Sequence, residues 1–227
     1  MRTRESSAAG ESGAGTFTRA KRRDQLVDCT IDAIADVGFA RASVAEVARR
    51  AGVSKGVVTY HFPAKDDLIS AVIQDVLGSM AEFVTPRVMA ADPRQFPERV
   101  IAPYITAWID YFRTHTREVL ALVRIYNSFR DESGRPSPAF SARADDIAQI
   151  TGALERGQAR GYLGSFSAPV LAALMKAALD DVLSQYADNP DLDLEAYGAA
   201  LITLFERAAA PNPDVASPKE ERCSPTF

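Results

Sequence analysis

Apolar residues recur at three- and four-residue intervals along most of the 227-residue chain, and no stretch sustains the apolar and polar alternation of a strand. That pattern restricts the fold class to all-α, because a helical period cannot present one continuous apolar face from an extended strand. Glycine, proline and capping residues divide the pattern into nine predicted helices. The first covers about 19–37, with a buried stripe at Leu26, Thr30, Ala33, Ile34 and Val37, and stops at Gly38, a residue suited to a left-handed cap. Its outer face carries Asp24, Asp28, Asp32 and Asp36. The second starts at Ser43, where Ser43-Val44-Ala45-Glu46 reads as a capping box: the serine hydroxyl accepts from the Glu46 N–H, and the Glu46 side chain reaches back. It ends near Gly52. The third runs from Ser54 to about Tyr60, and the fourth opens after Pro63, with Asp66 and Asp67 complementing its dipole. The periodicity predicts helices over about 65–90, 97–114, 117–131, 138–160, 168–187 and 193–209, separated by joints such as Asp92-Pro93, Gly134-Arg135-Pro136 and Asn189-Pro190. Residues 1–18 are expected to form a flexible arm, and 211–227, rich in proline and polar groups, a disordered tail.

Composition narrows the function more by what it lacks. The segment MRTRESSAAGESGAG has no apolar stretch of the signal-peptide kind, and no run approaches the roughly 20 apolar residues of a membrane span, so a cytoplasmic location is expected. Cys29 and Cys223 are too far apart for metal-ligand spacing and suggest no disulfide framework; neither a metal nor a cofactor is expected. An all-α enzyme would need a nucleophile with a base, or clustered ligands. The two histidines, His61 and His115, are isolated, and Asp66-Asp67, Asp145-Asp146 and Asp180-Asp181 are sequence neighbours whose side chains diverge on a helix. No catalytic residue is assigned, and an enzyme remains the alternative from another class. The net charge of −4 hides an asymmetry: residues 1–70 sum to +2 and the remainder to −6, so a polyanion would meet the N-terminal part.

That part holds the most informative segment, AGVSKGVVTYHF over 51–62. Two glycines, three valines and a threonine make it a poor helix by propensity, yet it lies between well-patterned neighbours. A capped helix, a glycine turn at Gly52 and a short second helix make a helix-turn-helix over about 43–62. Val47, Ala48, Ala51, Val53 and Val58 supply the small contacts that let the two helices cross, leaving Lys55, Gly56, Val57 and Thr59 outward. Those types suit a DNA groove: Lys55 donates to guanine or phosphate, Gly56 lets backbone approach, and Val57 offers methyl groups to thymine. Thr59, Tyr60 and His61 are short-range donors for phosphates, and Ser43 and Lys65 begin neighbouring helices where anions are favoured. A plain αα-hairpin, with Gly52 and small residues serving packing alone, fits the same spacing. Arg19, Lys21, Arg22 and Arg23 form a basic arm that reads either as a minor-groove contact or as a solvated helix start.

The run Arg23, Gly38-Phe39, Ser43-Val44, Val47-Ala48, Ala51-Gly52-Val53-Ser54, Gly56, Val58, His61-Phe62, Lys65 and Leu68 resembles the N-terminal domain of the TetR family of transcriptional regulators. The resemblance covers about a fifth of the chain. It implies a DNA-binding domain over 19–79 followed by a ligand-binding and dimerisation domain over 80–210, in a regulator of operator DNA with palindromic half-sites. It further implies phosphate contacts from Ser43 and His61, base-edge approach by Lys55, Gly56 and Val57, and anchoring of the fourth helix by Lys65. Many members carry tyrosine where this chain has Thr59, which leaves the division of contacts between Thr59 and Tyr60 open.

For the remainder, the resemblance implies a small-molecule cavity and a homodimer, most simply a repressor released by its effector; a DNA-binding regulator with no effector is the alternative. Tyr104, Trp108, Phe112, Tyr126 and Phe129 are the aromatic residues available to line a cavity, with Asn127 or His115 as polar anchors, although the same stripes would serve as core. The eighth helix carries an apolar band too wide for one face. With the ninth it offers Leu171, Leu174, Met175, Ala178, Val182, Tyr197, Leu201, Leu204 and Phe205 to a four-helix dimer interface.

Overall fold

A computed structural model describes residues 9–91, 100–128 and 140–211, and the described residues form nine helices and no strand. These are α1 (Ala9–Val37), α2 (Val44–Ala51), α3 (Lys55–His61), α4 (Lys65–Ala90), α5 (Ile101–Thr114), α6 (Thr116–Ser128), α7 (Phe140–Ala159), α8 (Ala168–Asp188) and α9 (Leu194–Ala209). Most ends fall within a few residues of those predicted; α1 differs most, starting at Ala9 instead of near 19.

The chain divides into two compact units that cut across the boundary expected near residue 80. The first comprises Met1–Phe83, Asp110–Ala142 and Leu183–Leu192, and the second Val84–Ile109, Arg143–Val182 and Asp193–Phe227. In the first unit, Leu26 and Ile34 of α1, Val47 of α2, Val58 of α3, Ile69, Val72 and Val76 of α4, and Val119 and Ile125 of α6 are each fully buried. Side chains of this size stabilise by roughly 1.5–3 kcal/mol apiece relative to exposure. Thr30 belongs to the same stripe because its hydroxyl donates to the Leu26 carbonyl at 2.6 Å, so no polar atom is buried without a partner there. By length and composition α4 could cross a membrane, contrary to the expectation that no segment approaches a span. Here Leu68, Ile69, Val72, Val76 and Met80 of that helix are core residues.

The aspartate face of α1 is not the open surface its spacing suggests. Arg117 of α6 pairs with Asp32 and with Asp36, the latter at 2.8 Å, while Arg124 donates to the Ile34 and Ala35 carbonyls near the end of α1. Asp36 Oδ2 also accepts from Arg50 of α2 at 2.5 Å. One carboxylate therefore ties three helices together, and those two arginines hold its pKa below the usual range.

In the second unit, Ile105 of α5, Leu154 of α7, Met175, Leu179 and Val182 of α8, and Phe205 and Ala209 of α9 form the core. A Cβ added at Gly198 of α9 would stand 3.0 Å from Ile109 Cγ1, so the small residue there serves close packing of α9 on α5 within this unit.

Candidate nucleic-acid interface

The helix-turn-helix forms as its local chemistry dictates, with one change. Ser43 Oγ accepts from the Glu46 N–H at 3.2 Å. The reciprocal half of the predicted box is absent, because the Ser43 N–H already donates to the Arg41 carbonyl at 2.8 Å. Glu46 instead pairs with Arg49 and Arg50, each at 2.7 Å, and those hydrogen bonds draw its pKa down to about 2. At the other end Gly52 sits at φ +66°, where a side chain would be strained. Its N–H reaches the Ala48 and Arg49 carbonyls, and Val53 N–H donates to Ala48 at 3.0 Å, which turns the chain into α3.

Helix α3 is held by its inward side. Val58 is 0% exposed and Phe62 2%, and α3 packs on α2, whose Val47, Ala48 and Ala51 are buried, so tertiary contacts stabilise a segment whose propensity is weak. Lys55, Gly56, Thr59 and Tyr60 form the exposed side, Val57 and His61 are half-buried, and Ser43 is exposed at the start of α2. Nothing internal requires glycine at position 56: its backbone is ordinary helix, and an added Cβ would meet only Ser54 Oγ, at 3.6 Å. The side-chain-free surface there is therefore available to an outside partner.

Thr59 Oγ1 lies 3.2 Å from both the Lys55 and the Gly56 carbonyls and donates its proton back into α3. Tyr60 is 65% exposed, with the Arg19 guanidinium 5.2 Å from its ring centroid, so it does not pack into the first helix as a core residue. His61 meets the Tyr60 ring edge to face at 5.2 Å. Burial holds the His61 pKa below that of an ordinary imidazole, and the positive charges of Arg19, Arg22 and Arg23 add to the effect. Lys65 donates to the Phe39 carbonyl at 3.3 Å and lies over the Phe39 ring, so it fastens α4 to the turn between α1 and α2. The basic stretch at the expected helix start lies inside α1, where Arg19 and Arg23 stack on Tyr60 and Phe62; their i,i+4 spacing is the sequence signal for it.

A sequence profile described as bacterial regulatory proteins of the tetR family matches residues 26–72, from buried Leu26 in α1 to Val72 in α4. Over this segment the chain is similar to the TetR family. It is 38% identical over 81 residues to the HTH-type transcriptional regulator BetI of Klebsiella pneumoniae, a match covering 36% of this chain and 42% of that protein. The chain thus matches less than half the length of such relatives. A TetR-family regulator from Rhodococcus RHA1 has a similar fold, with a TM-score of 0.69, 18% identity, and coverage of 85% of this chain and 98% of that one. AibR, solved in complex with isovaleryl coenzyme A and operator DNA, aligns with a TM-score of 0.68 at 15% identity over 81% of this chain and 97% of its own. At those identities the likeness is one of fold.

The residues expected of a TetR-family effector cavity divide between the two units. Tyr104, 3% exposed, and Trp108 lie in the second. Phe112, His115, Tyr126 and Asn127 lie in the first, and Phe129 is outside the described residues. His115 stacks on Tyr111 with ring centroids 4.2 Å apart and 7° between planes, and Phe83 meets both edge-on. That arrangement builds the histidine into an aromatic cluster. Asn127 is exposed and Tyr126 half-buried. The second unit assembles a polar group that no sequence pattern marked. Tyr104 donates to Asp146 Oδ2 at 2.7 Å, and Lys176 pairs with Asp180 while lying 5.1 Å from the Trp108 ring centroid. Burial raises the Asp146 pKa against the opposing effects of the Tyr104 hydrogen bond and Lys176.

Of the residues expected at a dimer interface, Leu171, Met175, Val182, Leu201 and Phe205 are buried within the second unit, and Ala178 and Tyr197 are half-buried. Leu174 at 55% and Leu204 at 59% exposure are the large apolar residues of that set open to solvent, together with Val170.

Proposed function

We propose that this chain is a homodimeric, cytoplasmic transcriptional repressor that holds operator DNA through α3 and releases it when a small molecule binds its C-terminal helices. The observation that carries the reading is the outward side of α3. Lys55, Gly56, Thr59 and Tyr60 face solvent in a row, and the glycine among them has no packing reason to be there. Two such helices on a two-fold axis meet half-sites about 34–36 Å apart, one turn of duplex. Leu174, Leu204 and Val170 are the apolar surface offered to a second copy.

Release follows from linkage. A ligand that favours a conformation with a different spacing of recognition helices lowers operator affinity by the same coupling free energy. AibR, whose fold this chain shares, was captured with both an acyl-coenzyme A and operator DNA, which supports a fold able to serve both. Helix α4 runs from Lys65 in the first unit past Phe83 into the second, and is one covalent route for such coupling.

The test is a footprint on the DNA upstream of the chain's own gene, repeated over a salt series and with candidate metabolites. A protected palindrome whose affinity falls with salt supports the reading. Equal affinity for that DNA and a random duplex removes it.

A further inference from the structure

We propose that Arg19 is a DNA-backbone contact, laid over Tyr60 so that α1 and the end of α3 form one phosphate site around His61. The inference rests on the DNA-binding reading above and adds a residue outside the helix-turn-helix to it.

The spacing comes first. Arg19 and Arg23 are one helical turn apart on α1, and Tyr60 and Phe62 flank His61 at the end of α3. The structure lays each arginine on one aromatic, Arg19 at 5.2 Å from the Tyr60 centroid and Arg23 at 4.7 Å from that of Phe62. Between them, Arg22 donates to Gln25 Oε1 at 2.6 Å, and Gln25 Nε2 reaches the Ala51 carbonyl at 3.4 Å, holding this part of α1 against the end of α2. The two stacked pairs differ in depth. Phe62 is 2% exposed, so Arg23 covers core, whereas Tyr60 is 65% exposed and lies on the side of α3 that carries Lys55 and Thr59.

The charges point to an anion. A guanidinium placed over a ring uses its face and leaves its in-plane N–H groups to a further acceptor, the geometry suited to phosphate. Among the described residues neither Arg19 nor Arg23 has a carboxylate partner, although the chain pairs Arg49, Arg50, Arg113 and Arg117 with carboxylates elsewhere. Three guanidiniums bear on the half-buried His61, and among the described residues no acidic group is among the charges acting on it. Like charges gathered at one point repel until an anion joins them, and the next polyanion along α3 is the backbone of the DNA it enters.

The test uses the full-length protein and a short random-sequence duplex, with binding followed by fluorescence anisotropy over a salt series. Wild type should bind in a salt-dependent manner; if it does not, the DNA-binding reading fails before this inference is reached. Arg19→Ala should weaken binding roughly five- to tenfold at moderate salt and reduce the slope of log K against log salt by about 0.9, the release of one counterion. Arg19→Lys should keep that slope, since the charge remains. A wild-type slope and affinity in Arg19→Ala overturns the proposal. So does weaker binding with an unchanged slope and a lowered melting temperature, the signature of a packing role.

Discussion

Tyr60 is 65% exposed at the end of α3 with a guanidinium across its ring, whereas Tyr104, 3% exposed, donates its hydroxyl to Asp146 in the second unit. The same side chain serves opposite ends. In the first unit charge is displayed: Lys55 stands outward, Arg19 lies on a solvent-facing ring, and the ion pairs of Arg117 and Arg50 are partly open to water. In the second unit charge is drawn inward among aromatics, with Lys176 over Trp108 and Asp146 under Tyr104. The difference teaches that an exposed surface tolerates cations without a carboxylate partner, because water solvates them. An interior cannot, and must assemble donors and acceptors from several helices at once.

The largest expected effect tests that contrast directly. Tyr104→Ala should cost about 3–5 kcal/mol, through the lost ring and through an Asp146 left without its donor, and lower the melting temperature by roughly 10 °C. Tyr60→Ala should cost no more than about 1 kcal/mol, the value of an exposed cation–π contact. Equal destabilisation of the two variants in thermal denaturation would erase the distinction.

Acid should separate the regions next. Asp36 and Glu46 have pKa values below 3.8 and 4.5, so their contribution to stability is present above those values and is lost as pH falls through the folded pKa, about 2 for Glu46. Asp36 is exposed and Glu46 half-buried beside the open Arg49, so screening keeps the effect small. Asp146 has the reverse sign. Burial raises its pKa, so its native state binds a proton more tightly, and stability falls as pH rises from 3.8 through the raised value. Asp146→Asn should therefore flatten the stability profile above pH 3.8, and Asp36→Asn below it. His61 adds a binding effect: its lowered pKa leaves it neutral in the free protein near neutrality, facing Tyr60, Arg19, Arg22 and Arg23. A phosphate favours the imidazolium, so DNA affinity should rise as pH falls toward 6.5, and His61→Gln should remove the rise.

How far these regions were legible follows from how their parts are spaced. Ser43 and Gly52 act on backbone groups within four residues, so the ends of α2 could be read from eight letters. The outward side of α3 follows from Val58 and Phe62 facing in. What escaped was decided by partners remote in sequence. Arg117 and Arg124 cross more than eighty residues to reach α1, and nothing in the Asp24 to Asp36 spacing announces them. Glu46 turned to Arg49 and Arg50 because the Arg41 carbonyl had taken the N–H it was expected to cap. The group of Tyr104, Trp108, Asp146, Lys176 and Asp180 comes from three helices. Periodicity shows that Tyr104 and Trp108 face inward but not which charged residues join them there.

Position 56 offers a sharper division between folding and binding. Gly56→Ala places a methyl group where only Ser54 Oγ lies near, at 3.6 Å, in a helix whose backbone is ordinary. Removing a helical glycine should raise stability by about 0.5–1 kcal/mol. The same methyl group holds α3 away from a groove, so operator affinity should fall while the melting temperature rises. A variant that gains stability and keeps full affinity would show that the glycine is not needed for close approach.

The smallest effect is expected one turn further on, at Thr59. It is exposed and lies beside Lys55 and Tyr60, yet its proton is already directed to the Lys55 and Gly56 carbonyls, both at 3.2 Å. It can offer an incoming phosphate only lone pairs, which repel an anion, unless it first breaks those bonds. Thr59→Ala should thus leave DNA affinity within about twofold of wild type, a difference near 0.4 kcal/mol, in a titration where Arg19→Ala loses several-fold. The stacked side of the motif, with Arg19, Tyr60 and His61, then carries the phosphate. If instead Thr59→Ala loses as much as Arg19→Ala, the hydroxyl must rotate on binding, and the outward groups of α3 are reorganised by DNA rather than preset for it.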